Sequence, residues 1–160
     1  MPRLVPCLWY SEKAEEAAAF YASLLPNSKV DSVTGLPADT PSGPAGSVKV
    51  VAFTLVGQPF LAFSAGRLDA FNHSISFMIE CEDQAEIDRL WTALSEGGQT
   101  EQCGWLKDRY GLYWQIVPSA LGTMMQDKDR ARAKRVTEAM LQMSKLDIAE
   151  LQKAYEGHAP

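Results

Sequence analysis

The sequence predicts an α+β fold made of two βαβββ modules followed by C-terminal helices. Three observations carry that expectation. A strand-like run, an amphipathic helix and three more strand-like runs occur in that order over residues 4–65, and again over 74–118. The two helices begin about 70 residues apart, a spacing that marks an internal repeat of one supersecondary unit. After Pro118 the apolar residues recur at helical intervals, a pattern that cannot continue a sheet.

Each element has its own local warrant. Leu4 to Tyr10 is short, apolar and aromatic, with Pro6 suiting an edge position or a strand start. Ser11 can cap a helix over Glu12 to Leu25, in which Ala14, Ala17, Ala18, Tyr21 and Leu25 share a face. Glu12, Glu15 and Glu16 suit the positive end of that helix, and Pro26-Asn27 stops it. Ser28 to Gly35 reads as a strand. Leu36 to Gly46, with Pro37, Pro41 and Pro44 and with glycines at Gly43 and Gly46, reads as a loop. Ser47 to Val56 and Pro59 to Ala65 form a hairpin across Gly57-Gln58, and Gly66 to Asn72 connects the modules.

The second module repeats the plan. Ser74 to Cys81 alternates Ile75, Phe77 and Ile79 with Ser76, Met78 and Glu80, as a strand with one buried face does. Asp83 and Glu86 have capping-box spacing, Ile87, Leu90, Trp91 and Leu94 form the apolar stripe, and Gly97-Gly98 ends the helix. Gln99 to Gln102 is a short strand. Gln102 to Pro118 supplies two more, joined by the turn Asp108-Arg109-Tyr110-Gly111. Beyond it come a short Met-containing segment over Ser119 to Gln126 and a helix over Asp129 to Met143, with Ala133, Val136, Met140 and Met143 on one face. A last helix is capped by Asp147 and carries Ile148, Leu151 and Tyr155. Its apolar partner is either the sheet of the same chain or a second copy. Gly157 to Pro160 should fray.

The expected organisation is one domain over residues 1–160, with module one at 1–66, module two at 73–118 and helices at 119–157. A net charge of −5 gives no basic face for nucleic acid. No apolar stretch approaches a membrane span, and no long apolar leader opens the chain. Three widely spaced cysteines, Cys7, Cys81 and Cys103, without a CxxC pair, fit a reduced, cytoplasmic chain.

Several segments resemble a known family. The duplicated βαβββ order is similar to the vicinal oxygen chelate superfamily, the glyoxalase I and bleomycin-resistance fold. More narrowly, Glu15 to Tyr21, Asp83 to Trp91, Cys103 to Asp108 and Trp114 to Pro118 resemble the 3-demethylubiquinone-9 3-methyltransferase-like, or phosphonate-cluster B-like, group. Ala139 to Met143 with Lys145 to Ile148 resembles the same group. The resemblance implies a pocket inside each curved sheet and a homodimer. It places the superfamily's metal ligands at Pro6, about Ser74, and Gln115.

Pro6 has no donor side chain, and Gln115 stands where metal-dependent members carry Glu, so no metal is predicted. Both strand-to-helix turns, Tyr10-Ser11 and Glu82-Asp83, lack the glycines that let a backbone approach a nucleotide-like cofactor, so no cofactor is predicted. Pocket candidates are Trp9, Phe63 and Trp105 as aromatic walls, with Ser76, Lys107 and Gln115 as orienting polar groups and Cys103 beside them. Within Leu112 to Val117, alternation puts Trp114 and Gln115 on opposite faces, and the resemblance implies that Gln115 faces the cavity and Trp114 the helices. The expected partner is a small-molecule ligand. Two functions stay open: binding or sequestering a compound, or an enzyme in which Gln115, Lys107 or Cys103 transfers a group or isomerises a substrate. The superfamily's metal-dependent lyases and dioxygenases are the further alternative.

Overall fold

β1 (Cys7–Tyr10), α1 (Ala14–Leu24), β2 (Lys29–Gly35), β3 (Lys49–Leu55) and β4 (Gln58–Ser64) follow one another as predicted. They belong to the first of two compact units, Met1–Ala70; the second is Phe71–Pro160. The computed structural model describes residues 1–66 and 69–158. Arg67 and Leu68 of the predicted connector, and Ala159 and Pro160 of the predicted frayed end, lie outside the described residues.

The first unit's sheet has the order β1-β4-β3-β2, with β1 parallel to β4 and the other pairs antiparallel. α1 packs on one face of it. Ala14, Ala17, Ala18 and Tyr21 are buried there with Leu8, Tyr10, Val51, Phe53 and Ala62. Three alanines on the inner stripe let the helix axis sit close to the sheet, and the Tyr10 and Tyr21 hydroxyls meet at 3.1 Å inside this layer. Cys7, Trp9, Leu61 and Phe63 point to the opposite face by strand alternation.

Ser11 does not cap α1. The helix starts at Ala14 after Lys13, which takes a left-handed conformation (φ 63°). The orphan N–H of Ala14 donates to Ser64 Oγ at 2.8 Å, so the cap comes from β4, fifty residues away. Three more expectations shift. The first strand begins at Cys7, not Leu4. The hairpin turns on Val56-Gly57, both at positive φ, instead of Gly57-Gln58. The 36–46 loop contains a small bridge between Thr40 and Gly43.

The second unit holds β5 (Phe77–Cys81), α2 (Gln84–Ser95), β6 (Gln99–Thr100), β7 (Trp105–Lys107) and β8 (Tyr113–Pro118), then α3 (Leu121–Met125), α4 (Arg130–Leu141) and α5 (Ile148–Glu156). Its sheet order, β5-β8-β7-β6, repeats the first. β5 is parallel to β8, as β1 is to β4. Asp83 caps the helix as predicted: Glu86 N donates to Asp83 Oδ1 at 2.8 Å, while Glu86 Oε2 accepts from Glu82 N, one residue before the cap, at 3.2 Å.

β5 is shorter than predicted. Asn72 Oδ1 accepts from Ser74 N at 2.8 Å and holds a turn there, and pairing with β8 starts only at Phe77↔Trp114. Ile75, expected on the buried face, is therefore exposed. Cys103 and Gly104, both at positive φ, delay β7 to Trp105, and the 99–102 strand shrinks to two residues. A Cβ on Gly104 would meet Ile116 O at 2.7 Å, so only glycine fits.

The last helices pack within their own unit. Val117, Leu121, Val136, Leu146 and Leu151 form a buried cluster, joined by Met124, Met140, Met143 and Tyr155. Asp129 and Asp147 cap α4 and α5 as their spacing predicts for Asp147. Arg135 donates to Ala154 O and Tyr155 O and closes the C-terminal end of α5.

Candidate functional site

The two units can be read against each other residue by residue. β1/β4 pairing ends at Tyr10↔Ser64, and Ala65 N then donates to Tyr10 O. β5/β8 pairing ends at Cys81↔Pro118, and Ser119 N donates to Cys81 O. Aligning these ends equates Trp9 and Phe63 with Glu80 and Val117, and Cys7 and Leu61 with Met78 and Gln115. The face opposite the helix is thus apolar and aromatic in the first unit and mixed in the second, where Glu80 and Gln115 stand beside Met78 and Val117. The seven predicted pocket residues divide between them.

In the first unit Trp9 and Phe63 are directly paired, their rings 6.3 Å apart. They line a cleft of about 240 Å³ with Leu36, Val48, Ala65 and the loop residues Thr40, Pro41 and Ser42. The loop is held by its own backbone. Leu36 N donates to Val48 O at 2.9 Å, Gly46 N to Leu36 O at 2.7 Å, and Ala45 N to Asp39 Oδ1 at 2.9 Å. Trp9 Nε1 donates to Gly66 O at 3.3 Å, so the indole is fixed edge-on while its face stays partly open. Among the described residues no charged side chain lines the cleft.

In the second unit Trp105 pairs with Gln115 and Lys107 with Tyr113, which puts these four side chains on one face. Gln115 Nε2 donates to Ser76 Oγ at 2.9 Å. The structure thereby joins Ser76, Trp105, Lys107 and Gln115. Cys103 is half-buried in the turn before β7, where its N–H donates to Met143 O. Trp114 faces the other way: it is buried, and its indole N–H donates to Asp108 Oδ2 at 2.8 Å.

Two groups were missed by sequence reasoning. His73 packs its ring 4.0 Å from that of Tyr113 and 5.7 Å from that of Trp105. Its Nε2 lies 2.7 Å from Glu101 Oε2. Glu101 lies in the segment predicted as strand, with no local signal of a partner 28 residues away. Asp108 is the other: its buried carboxylate accepts from Tyr110 N, Leu112 N and Trp114 Nε1 and organises the β7–β8 turn.

Among the described residues no three His, Cys, Asp or Glu side chains converge to hold a metal ion. The positions that align with the superfamily's ligands do not fit one either. Pro6 has only its carbonyl, already accepting from Leu61 N, and the Gln115 amide is a weak neutral donor turned to Ser76.

The 3-demethylubiquinone-9 3-methyltransferase family model matches residues 2–117. The chain belongs to that family. Among solved structures it is similar to the PhnB protein of Bacillus cereus, which carries the same methyltransferase name, at 28% identity and a TM-score of 0.65 over 73% of this chain and 99% of that one. The Pseudomonas aeruginosa protein PA1353 aligns at 19% identity and a TM-score of 0.59 over 74% and 98%. The trypanothione-dependent glyoxalase I of Leishmania major aligns at 14% identity and a TM-score of 0.50 over 86% and 97%. These last two likenesses show the glyoxalase/bleomycin-resistance fold and nothing finer. No curated protein matches the chain. The family match ends before α3, so the helical cluster lies outside it.

Proposed function

We propose that this family member binds a small, partly apolar, uncharged molecule in the cleft between Trp9, Phe63 and the 36–48 loop, without a catalytic metal. The observation that carries this reading is the wall itself: two aromatic rings, three aliphatic side chains and Pro41, with Thr40 and Ser42 supplying the hydroxyls among the described residues. An ionic ligand would lose its hydration there with nothing to replace it, at a cost of several kcal/mol, about the scale for unpaired buried charge. A volume of about 240 Å³ lies below the roughly 300–1,000 Å³ of drug-sized sites. It suits one ring system or a short aliphatic chain. The loop's own hydrogen bonds keep the cleft formed in advance, which lowers the ordering cost of binding.

The test is titration with indole and with indole-3-acetate, followed by protein NMR shifts. Indole should saturate and the carboxylate should not, and Trp9→Ala or Phe63→Ala should abolish the shifts. Indole and a panel of neutral monocyclic compounds all failing to bind would overturn the reading. The family's name supports a second reading, methyl transfer, which saturable binding of S-adenosylmethionine in calorimetry would favour.

The working unit is a cytoplasmic homodimer in which both modules and the helices act as one domain. Exposed apolar residues support it: Trp9 on β1 and Met78 on β5, with Leu4 and Ile75 just before those strands. Each of these strands has a pairing partner on one side only. Light scattering giving a monomer mass would refute the dimer.

A further inference from the structure

We infer that, given the binding role proposed for it above, the cleft of the first unit selects its ligand by where the polar group sits. It takes a hydrocarbon group at its floor and accepts a hydrogen-bonding group only at its mouth. The chemical class this selects is a neutral amphiphile with a hydrocarbon body and one polar end. Rings that carry hydroxyls at opposite ends are rejected.

Floor and mouth differ in exposure. Val48 and Ala65 are 5% and 7% exposed, and Phe63 and Leu36 beside them are half-buried. These four side chains are hydrocarbon throughout. At the mouth Trp9 is 39% exposed, and Pro41 and Ser42 are exposed as well.

The polar groups around the floor are already committed within the protein. Leu36 N donates to Val48 O, and Leu36 O accepts from Gly46 N. Ala65 N donates to Tyr10 O at 3.3 Å. Trp9 Nε1 donates to Gly66 O. Thr40 Oγ1 is used in both directions: it donates to Gly43 O at 3.3 Å and accepts from Ser42 N at 3.1 Å. The other hydroxyl of the lining, that of Ser42, belongs to an exposed loop residue, on the side where a ligand keeps contact with water.

A ligand hydroxyl pressed against this floor would leave water and find no partner, and a hydroxyl buried in that way is costly. Turned to the mouth, the same hydroxyl keeps its water. The indole N–H can likewise point outward. One polar group is therefore tolerated, and a second at the far end of the ring is not.

The experiment titrates the full chain with p-xylene, p-cresol and hydroquinone under nitrogen, reading Kd from the NMR shift of the Trp9 indole N–H. Each step along this series replaces one methyl by a hydroxyl at an end of the same ring. The first step should weaken binding little, because the hydroxyl of p-cresol turns to the mouth. The second should weaken it by about 10-fold or more beyond the first, the scale of one hydroxyl buried without a partner. Ala65→Ser, which sets a hydroxyl on the floor, should narrow the second step. A second step no larger than the first overturns positional selection, while binding of p-xylene still upholds the cleft as a binding site. Failure of both p-xylene and p-cresol to bind overturns the two together.

Discussion

Asp108 shows how one side chain can set a whole turn. Its two oxygens accept three N–H donors, and it is 2% exposed. Asp108→Ala would leave those donors buried without an acceptor, and should destabilise the chain by about 3 kcal/mol in urea unfolding. The turn itself is readable in the sequence as Asp-Arg-Tyr-Gly, with Gly111 at φ 89°. The bond to Trp114 is not, because it depends on β8 returning beside β7. The cysteines behave alike in sequence and differently in space. Burial, and then the charge of Glu86, push the Cys81 thiol up to about 12, while Cys7 is exposed. A thiol reagent at neutral to mildly alkaline pH should label Cys7 first and reach Cys81 only after unfolding, as mass spectrometry of the labelled peptides would show. His73 lies at the limit of what single residues disclose: an isolated histidine says nothing of Glu101 until β6 and β7 bring the two together.

At the scale of elements, helix starts are legible where the cap is local. Asp83 and Asp147 cap the helices that their spacing announces. α1 is the exception, because its acceptor is Ser64 on another strand. Ser64→Ala should cost about 1 kcal/mol, the usual value of a lost cap, while Ser11→Ala leaves thermal stability unchanged. The junction of α3 and α4 is tied to α5 by the Tyr155 hydroxyl donating to Asp127 Oδ2. Tyr155 holds the Asp127 carboxyl below its usual range, and Asp127 in turn raises the Tyr155 phenol. The carboxylate's contribution is present above about pH 4 and fades as pH falls through its lowered pKa; the phenol's is present below about pH 10 and fades as pH rises through its raised one. Melting temperatures across pH should therefore drop at both ends, and Tyr155→Phe should flatten both drops.

For the whole molecule, the repeat was the legible part, since two copies of one order restrict the topology more than any single strand does. Identical sheet orders bear this out. The site was legible as a set of residue types and not as an arrangement. Trp9 and Phe63 fall in one unit, Ser76, Trp105, Lys107 and Gln115 in the other, as the predicted modules divide them; strand register decides which of the strand residues share a face.

The equivalence of Phe63 and Val117 carries a consequence for synthesis on the ribosome. Phe63 is walled by residues 36–48, already translated when it emerges. Val117 is covered by helices that extend to residue 156 and must wait for nearly forty more. The first half can mature while the second is still being made, whereas the second keeps an adhesive patch until the chain is nearly finished. A chain stopped after Pro118 would contain the whole family match and still lack that cover, and should partition into the insoluble fraction of a cell lysate where the full chain does not.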